Sequence, residues 1–278
     1  MNIIASSVLF KHSYKDIQPT LRARLIAERI SLVVIVDNGG HCDWLNSFKN
    51  EKVEVIRTPV NHGFGAGHNA VFKKFHNTTE YFLICNPDVT FENGEVNALY
   101  AFSQRGNVGL AIPKVIYPDG SHQFACKLLP QPCQLFLRRF FIYFSPEMNH
   151  RYELRDADYG KEFFAPFLSG CFVLLSHEAL MQTNGFDERF FLYMEDVDLS
   201  RRVCQSGLPV RYCPDAKVIH EAQSRSYRSL KFLYYHMKSA VRYFNKWGWL
   251  KDRERDNLNA FCLSALPKIK NEESECRK

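Results

Sequence analysis

The chain has 278 residues, 46% of them apolar, with only 14 glycines and 12 prolines; this excludes a disordered or fibrous protein and leaves ample length to bury a core. The formal net charge of +6 at pH 7 is modest for this length, and no recognised binding motif accompanies it, so no nucleic acid is expected as a partner. Nine cysteines without a CxxC pair or disulfide-framework spacing, an N-terminus without a charged region followed by an apolar one, and no uncharged apolar run of the roughly 18 residues that span a bilayer point to free thiols in a reducing cytoplasm.

In chain order, Ile3 to Phe10 is an apolar run of strand length, and Asp16 to Ile30 carries Ile17, Leu21, Leu25 and Ile26 near helical spacing. Ser31 to Val36 is apolar and β-branched, which predicts a fully buried strand stopped by the turn signal Asp37-Asn38-Gly39-Gly40. Lys52 to Arg57 alternates like a strand, Ala66 to Phe75 reads as a helix, and Tyr81 to Cys85 is another continuous apolar run. This β-α-β-α-β rhythm predicts an α/β fold with a mostly parallel central sheet and helices on both faces, in which ligands bind at the carboxyl ends of the strands. The stretch 110–165 is less regular. Phe167 to Ser176 reads as one strand, Glu178 to Thr183 as a short helix closed at Asn184-Gly185, and Asp196 to Ser206 as a helix ended by Gly207. Tyr227 to Trp247 has the apolar spacing of a long amphipathic helix.

Gly63-Phe64-Gly65-Ala66-Gly67 follows a strand and opens a helix, but its G-x-G-x-G spacing and its place after the third strand are not those of a dinucleotide fingerprint. A turn that brings backbone N–H groups close to an anion fits better, with Asn61 and Asn69 flanking it. Asp88, in Asn86-Pro87-Asp88, taken alone reads as a turn former or a helix cap; Asp37, Asp88, Asp196 and His220 taken together suggest a metal-assisted site. Carboxylate plus imidazole suits Mg2+ or Mn2+, the histidine leaning toward Mn2+. Three acids in four residues at Glu195-Asp196-Val197-Asp198, beside Phe190-Phe191-Leu192-Tyr193, exceed what helix-dipole compensation needs, and Asp196 can act as a base. Arg201 and Arg202 pair either with these acids or with a diphosphate.

Several segments in order carry a family resemblance: Val36-Asp37-Asn38, Asn61 to Asn69, Asn86-Pro87-Asp88, Ser169-Gly170-Cys171-Phe172, Gly185 to Phe191, Glu195 to Leu199, and His220. Over residues 3–245 the chain resembles the inverting family 2 glycosyltransferases of GT-A fold, in their bacterial rhamnosyltransferase-like branch. Asn-Pro-Asp stands where many relatives carry Asp-x-Asp, and the chain departs from the pattern at Leu9-Phe10-Lys11 and at Arg57-Thr58-Pro59-Val60. The resemblance implies that Asp37 hydrogen-bonds the nucleotide base, that Asp88 and His220 bind the metal, and that Asp196 is the catalytic base with Glu195 positioning the acceptor. Asn61, Gly63, Gly67, Asn69, Asn86, Asp88 and Arg202 complete the expected donor site.

The implied organisation is a GT-A domain over 1–225, a C-terminal helical segment over 226–266 packed on or beside it, and a disordered tail over 267–278. The implied reaction moves a sugar, best matched by L-rhamnose from dTDP-L-rhamnose, onto a glycan or lipid-linked glycan of a bacterial surface polysaccharide such as O-antigen or capsule. A galactofuranosyl- or hexosyltransferase using a UDP-sugar, and a non-catalytic glycan-binding subunit, are the alternatives. Two basic-aromatic stretches, 133–144 and 225–254, read either as solvated faces or as contacts with the inner face of the cell membrane, and Leu135 to Phe144 is the candidate segment for such peripheral contact.

Overall fold

The computed structural model describes residues 3–140, 146–221 and 229–267. Its centre is a nine-stranded mixed sheet in the order β3-β2-β1-β4-β10-β6-β11-β5, with β8 on the far side of β11. β1 (Ile3–Leu9), β2 (Ile30–Asn38), β3 (Val53–Thr58) and β4 (Tyr81–Cys85) are parallel. β6 (Leu110–Ile116) and β11 (Val210–His220) are parallel to each other, and the antiparallel β10 (Phe172–Ser176) joins them to β4. The short β5 (Val89–Thr90) and β8 (Phe163–Phe164) pair antiparallel with β11. A separate ladder joins β7 (Cys126–Lys127) to β9 (Phe167–Leu168).

The chain lays β2 and β3 to one side of β1 and then crosses to place β4 on the other. That reversal opens a crevice at the carboxyl ends of the strands, the usual ligand position in such sheets. β4 is buried at every residue, as its continuous apolar run requires. Helix α1 (Tyr14–Ile26) starts in a capping box: Ser13 Oγ accepts from Asp16 N, and Asp16 Oδ2 accepts from Ser13 N at 2.9 Å. α2 (Phe64–Phe75) and α3 (Glu95–Arg105) follow β3 and β5; α4 (Pro132–Phe140) and α5 (Pro146–Tyr152) occupy the irregular middle. α6 (His177–Thr183) closes at Asn184 in the left-handed conformation, as Asn184-Gly185 predicted, and α7 is Glu195–Gln205.

The expected continuous strand Phe167 to Ser176 is broken in two. Ser169-Gly170-Cys171 leaves the sheet, so β9 joins the small ladder and β10 the large one. Residues 222–228, where the long helix was expected to begin, 141–145 of the candidate membrane segment, and the tail from 268 onward lie outside the described residues.

Two C-terminal helices follow, α8 (Leu230–Trp247) and α9 (Arg253–Ala265), of which α9 was not expected as a separate helix. α8 packs Ala240, Tyr243 and Phe244 against Phe190, Met194 and Val197, with Trp247 alongside. Asp252 caps α9 by accepting from Arg255 N, and it also receives a bidentate bond from Arg201 at 2.6 Å through each of its oxygens. Both side chains of that pair are buried, and of the two kinds of partner open to Arg201 in the sequence the structure shows an acid, the one that caps the C-terminal helix. Asp198, fully buried, accepts from Arg202 Nε at 2.7 Å, Lys246 Nζ at 2.6 Å and Trp247 Nε1 at 2.8 Å. Asp198→Ala is expected to lower unfolding stability by about 3 kcal/mol in urea titrations, because two buried or half-buried cations lose a shared carboxylate; a change under about 1 kcal/mol would refute this account.

Candidate active site

Asp88 and His220 are brought together by backbone pairing rather than by their own attraction. Asp88 immediately precedes β5, and in the β5–β11 ladder Val89 faces His220, the last residue of its strand. Glu221 N donates to Asp88 O at 3.0 Å and closes the ladder. His220 Nε2 stands 3.3 Å from Asp88 Oδ1. That carboxylate oxygen is nonetheless buried without a well-aligned hydrogen-bond donor. On the other side of the ring, His220 Nδ1 meets Gln123 Oε1 at 3.1 Å. A bond from Nδ1–H to Gln123 turns Nε2 toward Asp88.

Burial pulls the His220 imidazole down, but the Cys171 sulfur and the Asp88 carboxylate more than offset it and push it up to about 10. The site thus favours positive charge at this point, where a proton and a divalent cation compete. An orphaned carboxylate oxygen beside an imidazole nitrogen fits a hard or borderline divalent ion that completes its shell with water and phosphate oxygens. Among the described residues no group of three or more His, Cys, Asp or Glu could hold a metal, and Asp88 with His220 is a pair. Behind the turn, Arg24 donates to Asn86 O at 2.5 Å and Thr20 Oγ1 donates to Pro87 O at 2.7 Å, so α1 grips the Asn-Pro-Asp backbone.

The acidic pair lies at the start of α7. Tyr193 and Met194 enter it with φ of 68° and 67°, two successive non-glycine residues in the left-handed region, which costs on the order of 1–3 kcal/mol each. Met194 is buried in the α8 cluster, and the Tyr193 ring packs edge-on to His236 at 5.3 Å. Asp196 Oδ2 accepts from Gly170 N at 3.0 Å and Oδ1 from Val197 N at 2.9 Å. The break at Ser169-Gly170-Cys171 is what makes room, since a Cβ on Gly170 would stand 3.1 Å from Asp196 Cβ. Burial raises the Asp196 carboxyl above its ordinary value, against the two backbone donors and the Lys127 ammonium. Glu195 is pushed up to about 8 by burial and by Asp196, and its Oε2 has no partner.

The pocket of about 370 Å3 that these groups share is lined by Asn86, Gly170, Cys171, Glu195, Asp196 and His220, with Lys127, Tyr152, Tyr193 and His236 around them. A larger depression of about 620 Å3, between His76–Tyr81 and Ser176–Glu178, has none of the predicted site residues on its wall. Gln123, Lys127 and the grip of Arg24 and Thr20 were missed in the sequence, because no spacing or motif there signals them.

The glycine turn departs from the expectation. Gly63 has φ +99°, and a Cβ there would lie 2.2 Å from Phe191 O; Phe64 N donates to that same oxygen at 2.9 Å. The helix N-terminus predicted to face an anion therefore faces the chain's own Phe191 carbonyl. A Cβ on Gly67 would collide with the Val8 side chain at 2.7 Å, so this glycine serves close helix–sheet packing. Asn61 Oδ1 accepts from Asn38 Nδ2 and Gly63 N, which shapes the loop. Asn69 donates to Phe186 O at 2.8 Å and accepts from Phe186 N at 2.9 Å, which staples α2 to the Gly185 turn. Arg202 donates to Asp198 and to Thr183 O, off the walls of the acidic pocket. Asp37 sits at the end of β2 with both oxygens accepting from the loop, His41 N at 3.0 Å and Cys42 N at 3.3 Å, and it is not on the pocket wall.

With this geometry in place, comparison with known proteins is informative. The profile described as glycosyl transferase family 2 matches residues 13–182, more than half of the chain. The chain belongs to that family. It is 28% identical over 215 residues to the N-acetylglucosaminyl-diphospho-decaprenol L-rhamnosyltransferase of Mycobacterium tuberculosis, covering 70% of this chain and 68% of that protein. It is 24% identical over 208 residues to the rhamnosyltransferase WbbL of Escherichia coli, covering 71% and 76% respectively. Among solved structures, GalNAc-T7 with UDP, GalNAc and Mn2+ superposes with a TM-score of 0.65 at 13% identity over 93% of this chain; the chain spans half the length of that one. The shared fold is GT-A, as the sequence led us to expect.

Glu195 offers a pH test. A glutamate in the unfolded chain titrates near 4.5 and the native one near 8, so the folded state holds its proton more tightly. The contribution of Glu195 to stability is then fully present below about pH 4.5 and is lost as pH rises toward 8, by up to about 1.4 kcal/mol per unit. Glu195→Gln is expected to be more stable than the parent by a few kcal/mol at pH 8, with the gap closing near pH 4. Urea midpoints measured across that range check it, and a gap that stays constant with pH would sink it.

Proposed function

We propose that the chain is an inverting glycosyltransferase that moves L-rhamnose from dTDP-L-rhamnose onto a glycan or lipid-linked glycan acceptor of a bacterial surface polysaccharide. The observation that carries this reading is that Asp196 and His220, with Asp88 against it, come together around one pocket. Rhamnose as the transferred sugar, and a lipid-linked acceptor, rest on the two rhamnosyltransferase relatives. A cytoplasmic protein working at the inner face of the membrane follows from such an acceptor; among the described residues no helix is long and apolar enough to cross a membrane.

In this reading Asp196 removes the proton from the acceptor hydroxyl. The freed oxygen attacks the anomeric carbon as the bond to the donor diphosphate breaks, so the configuration inverts and the nucleoside diphosphate leaves. The raised carboxyl of Asp196 brings its basicity closer to that of the hydroxyl it must deprotonate, while the bonds from Gly170 N and Val197 N fix its direction. Glu195, held protonated by burial, positions the acceptor by donating a hydrogen bond. Asp88 and His220 would hold Mn2+ or Mg2+, which neutralises charge developing on the departing diphosphate when it is bound. Gln123 fixes the ring of His220. Lys127 contributes the fixed positive charge on the pocket wall, where it favours ionised Asp196. Asp37, with the Phe10 and His41 rings packed edge-on at 5.6 Å nearby, is the proposed contact for the nucleotide base.

The test is turnover across a panel of nucleotide sugars with Mn2+, Mg2+ or chelator, in the parent and in Asp196→Asn. We expect metal-dependent use of dTDP-L-rhamnose, and a 10²- to 10⁴-fold lower kcat in Asp196→Asn with donor affinity retained. Selection of another nucleotide sugar would replace the substrate and keep the mechanism; an Asp196→Asn variant with normal kcat would end the assignment of the base.

A further inference from the structure

Helix α8 has two unlike faces. Its inner stripe, His236, Ala240, Tyr243 and Trp247, closes on the acidic loop, and His236 reaches the pocket wall. Its outer stripe repeats at helical spacing and stands in solvent: Leu230, 84% exposed, then Lys231, Tyr234, Lys238, Val241 and Asn245. The following turn continues the surface with Trp249, Leu250 (88% exposed) and Lys251. From Leu230 to Lys251 there is no aspartate or glutamate, and the first acid beyond, Asp252, is buried against Arg201. Of the five cations in this stretch, Arg242 and Lys246 turn inward, to Arg189 O and to Asp187 and Asp198; Lys231, Lys238 and Lys251 remain on the exposed side. Lys238 lies over the Tyr234 ring, 5.6 Å from its centroid.

We propose that this outer face of α8 and the turn after it lie flat on an anionic lipid surface. Apolar and aromatic side chains interleaved with lysines on one helix face, without a compensating acid, match the chemistry of the headgroup boundary, where the rings enter and the ammonium groups meet phosphates. A second copy of the chain is a poorer occupant, because an isologous contact would set the same lysines against each other. The consequence for catalysis rests on the transferase reading: with α8 on the membrane, the pocket that its inner face closes is held at the depth of a lipid-linked acceptor's headgroup. The surface itself does not depend on that reading. It lies within the second basic-aromatic stretch of the sequence, 225–254, and not in Leu135 to Phe144, the segment favoured there.

The test is sedimentation of the full chain with vesicles of phosphatidylcholine alone and of phosphatidylcholine mixed with phosphatidylglycerol. The parent is expected to bind the anionic vesicles and not the neutral ones. Lys231→Glu with Lys238→Glu is expected to weaken that binding by at least about 20-fold, since each surface lysine contributes roughly fivefold. Leu230→Ser with Tyr234→Ser is expected to weaken it at unchanged charge. Thermal melting and hydrolysis of nucleotide sugar in solution should match the parent in both variants. Equal binding to neutral vesicles, retention by the charge-reversed variant, or a parent that stays in the supernatant or dimerises through this face instead would each overturn the proposal. Vesicle binding as predicted in a protein that turns over no nucleotide sugar would leave the surface standing and remove the transferase reading.

Discussion

The buried carboxylate of Asp198 is the interaction on which the acidic end of the site depends. Three donors from two helices converge on it, Arg202 from α7 and Lys246 and Trp247 from α8, and Lys246 also reaches Asp187 at 2.9 Å. Asp187 is held well below the usual carboxylate range, first by its bonds to Arg189 against the effect of burial, and then by Lys246. A carboxylate without solvent exposure would be expensive to bury alone; with a guanidinium, an ammonium and an indole N–H around it, its lone pairs are satisfied. The geometric result is that the loop 187–198 is tied at both ends to one point on α8. Asp196 stands two residues before that knot, so the position of the proposed base is inherited from it.

This anchoring also explains how the backbone tolerates Tyr193 and Met194 in the left-handed region. Their strain is opposed by burial of Met194 among Phe190, Val197 and Tyr243 and by the bond from Ser239 Oγ to Leu192 O at 2.8 Å. The sharp entry to α7 points the Val197 N–H at the Asp196 carboxylate while leaving Glu195 buried without a partner for one oxygen. Burial raises both adjacent carboxyls, but Asp196 has the backbone donors of Gly170 and Val197 opposing it, whereas on Glu195 the charge of Asp196 adds to burial. Separation of two acids by environment in this way is how one remains a base while the other keeps its proton.

The central sheet was legible because its signals are local. Continuous apolar runs at Val33–Val36 and Tyr81–Cys85 can only be buried strands, and the Asn184-Gly185 closure of α6 is turn chemistry. That Asp196 opens a helix and His220 ends a strand was legible in the sequence, and the structure puts both on one pocket wall, with Asp88 in the turn after β4. The glycine turn was misread for a physical reason: a glycine that admits a ligand and one that admits another backbone look the same in sequence, and here Phe191, far along the chain, fills the space at Gly63. Of the two pairings the sequence left open for Arg202, the structure shows the one with an acid. A cation beside three acids pairs with whichever one the helix turn presents, here Asp198, four residues before Arg202. Gln123, Lys127 and the Asp252 cap reach their partners only through tertiary contacts, which no periodicity encodes.

The two ends of the site are consequently held by different kinds of force. Asp88 and His220 are fixed by main-chain pairing of β5 with β11 and by α1 gripping the Asn-Pro-Asp carbonyls, which leaves little freedom to any substitution that preserves the ladder. Asp196 is fixed by side chains of α7 and α8, through ion pairs and a small apolar cluster separate from the main core. Charge networks of this kind are more sensitive to a single substitution than a ladder is, because removing one member strands the others. The region matched by the family profile ends at residue 182, so Asp196, the proposed base, and the helix that anchors it lie beyond it. The position of Asp196 therefore depends on the packing of α7 against α8 as much as on the central sheet.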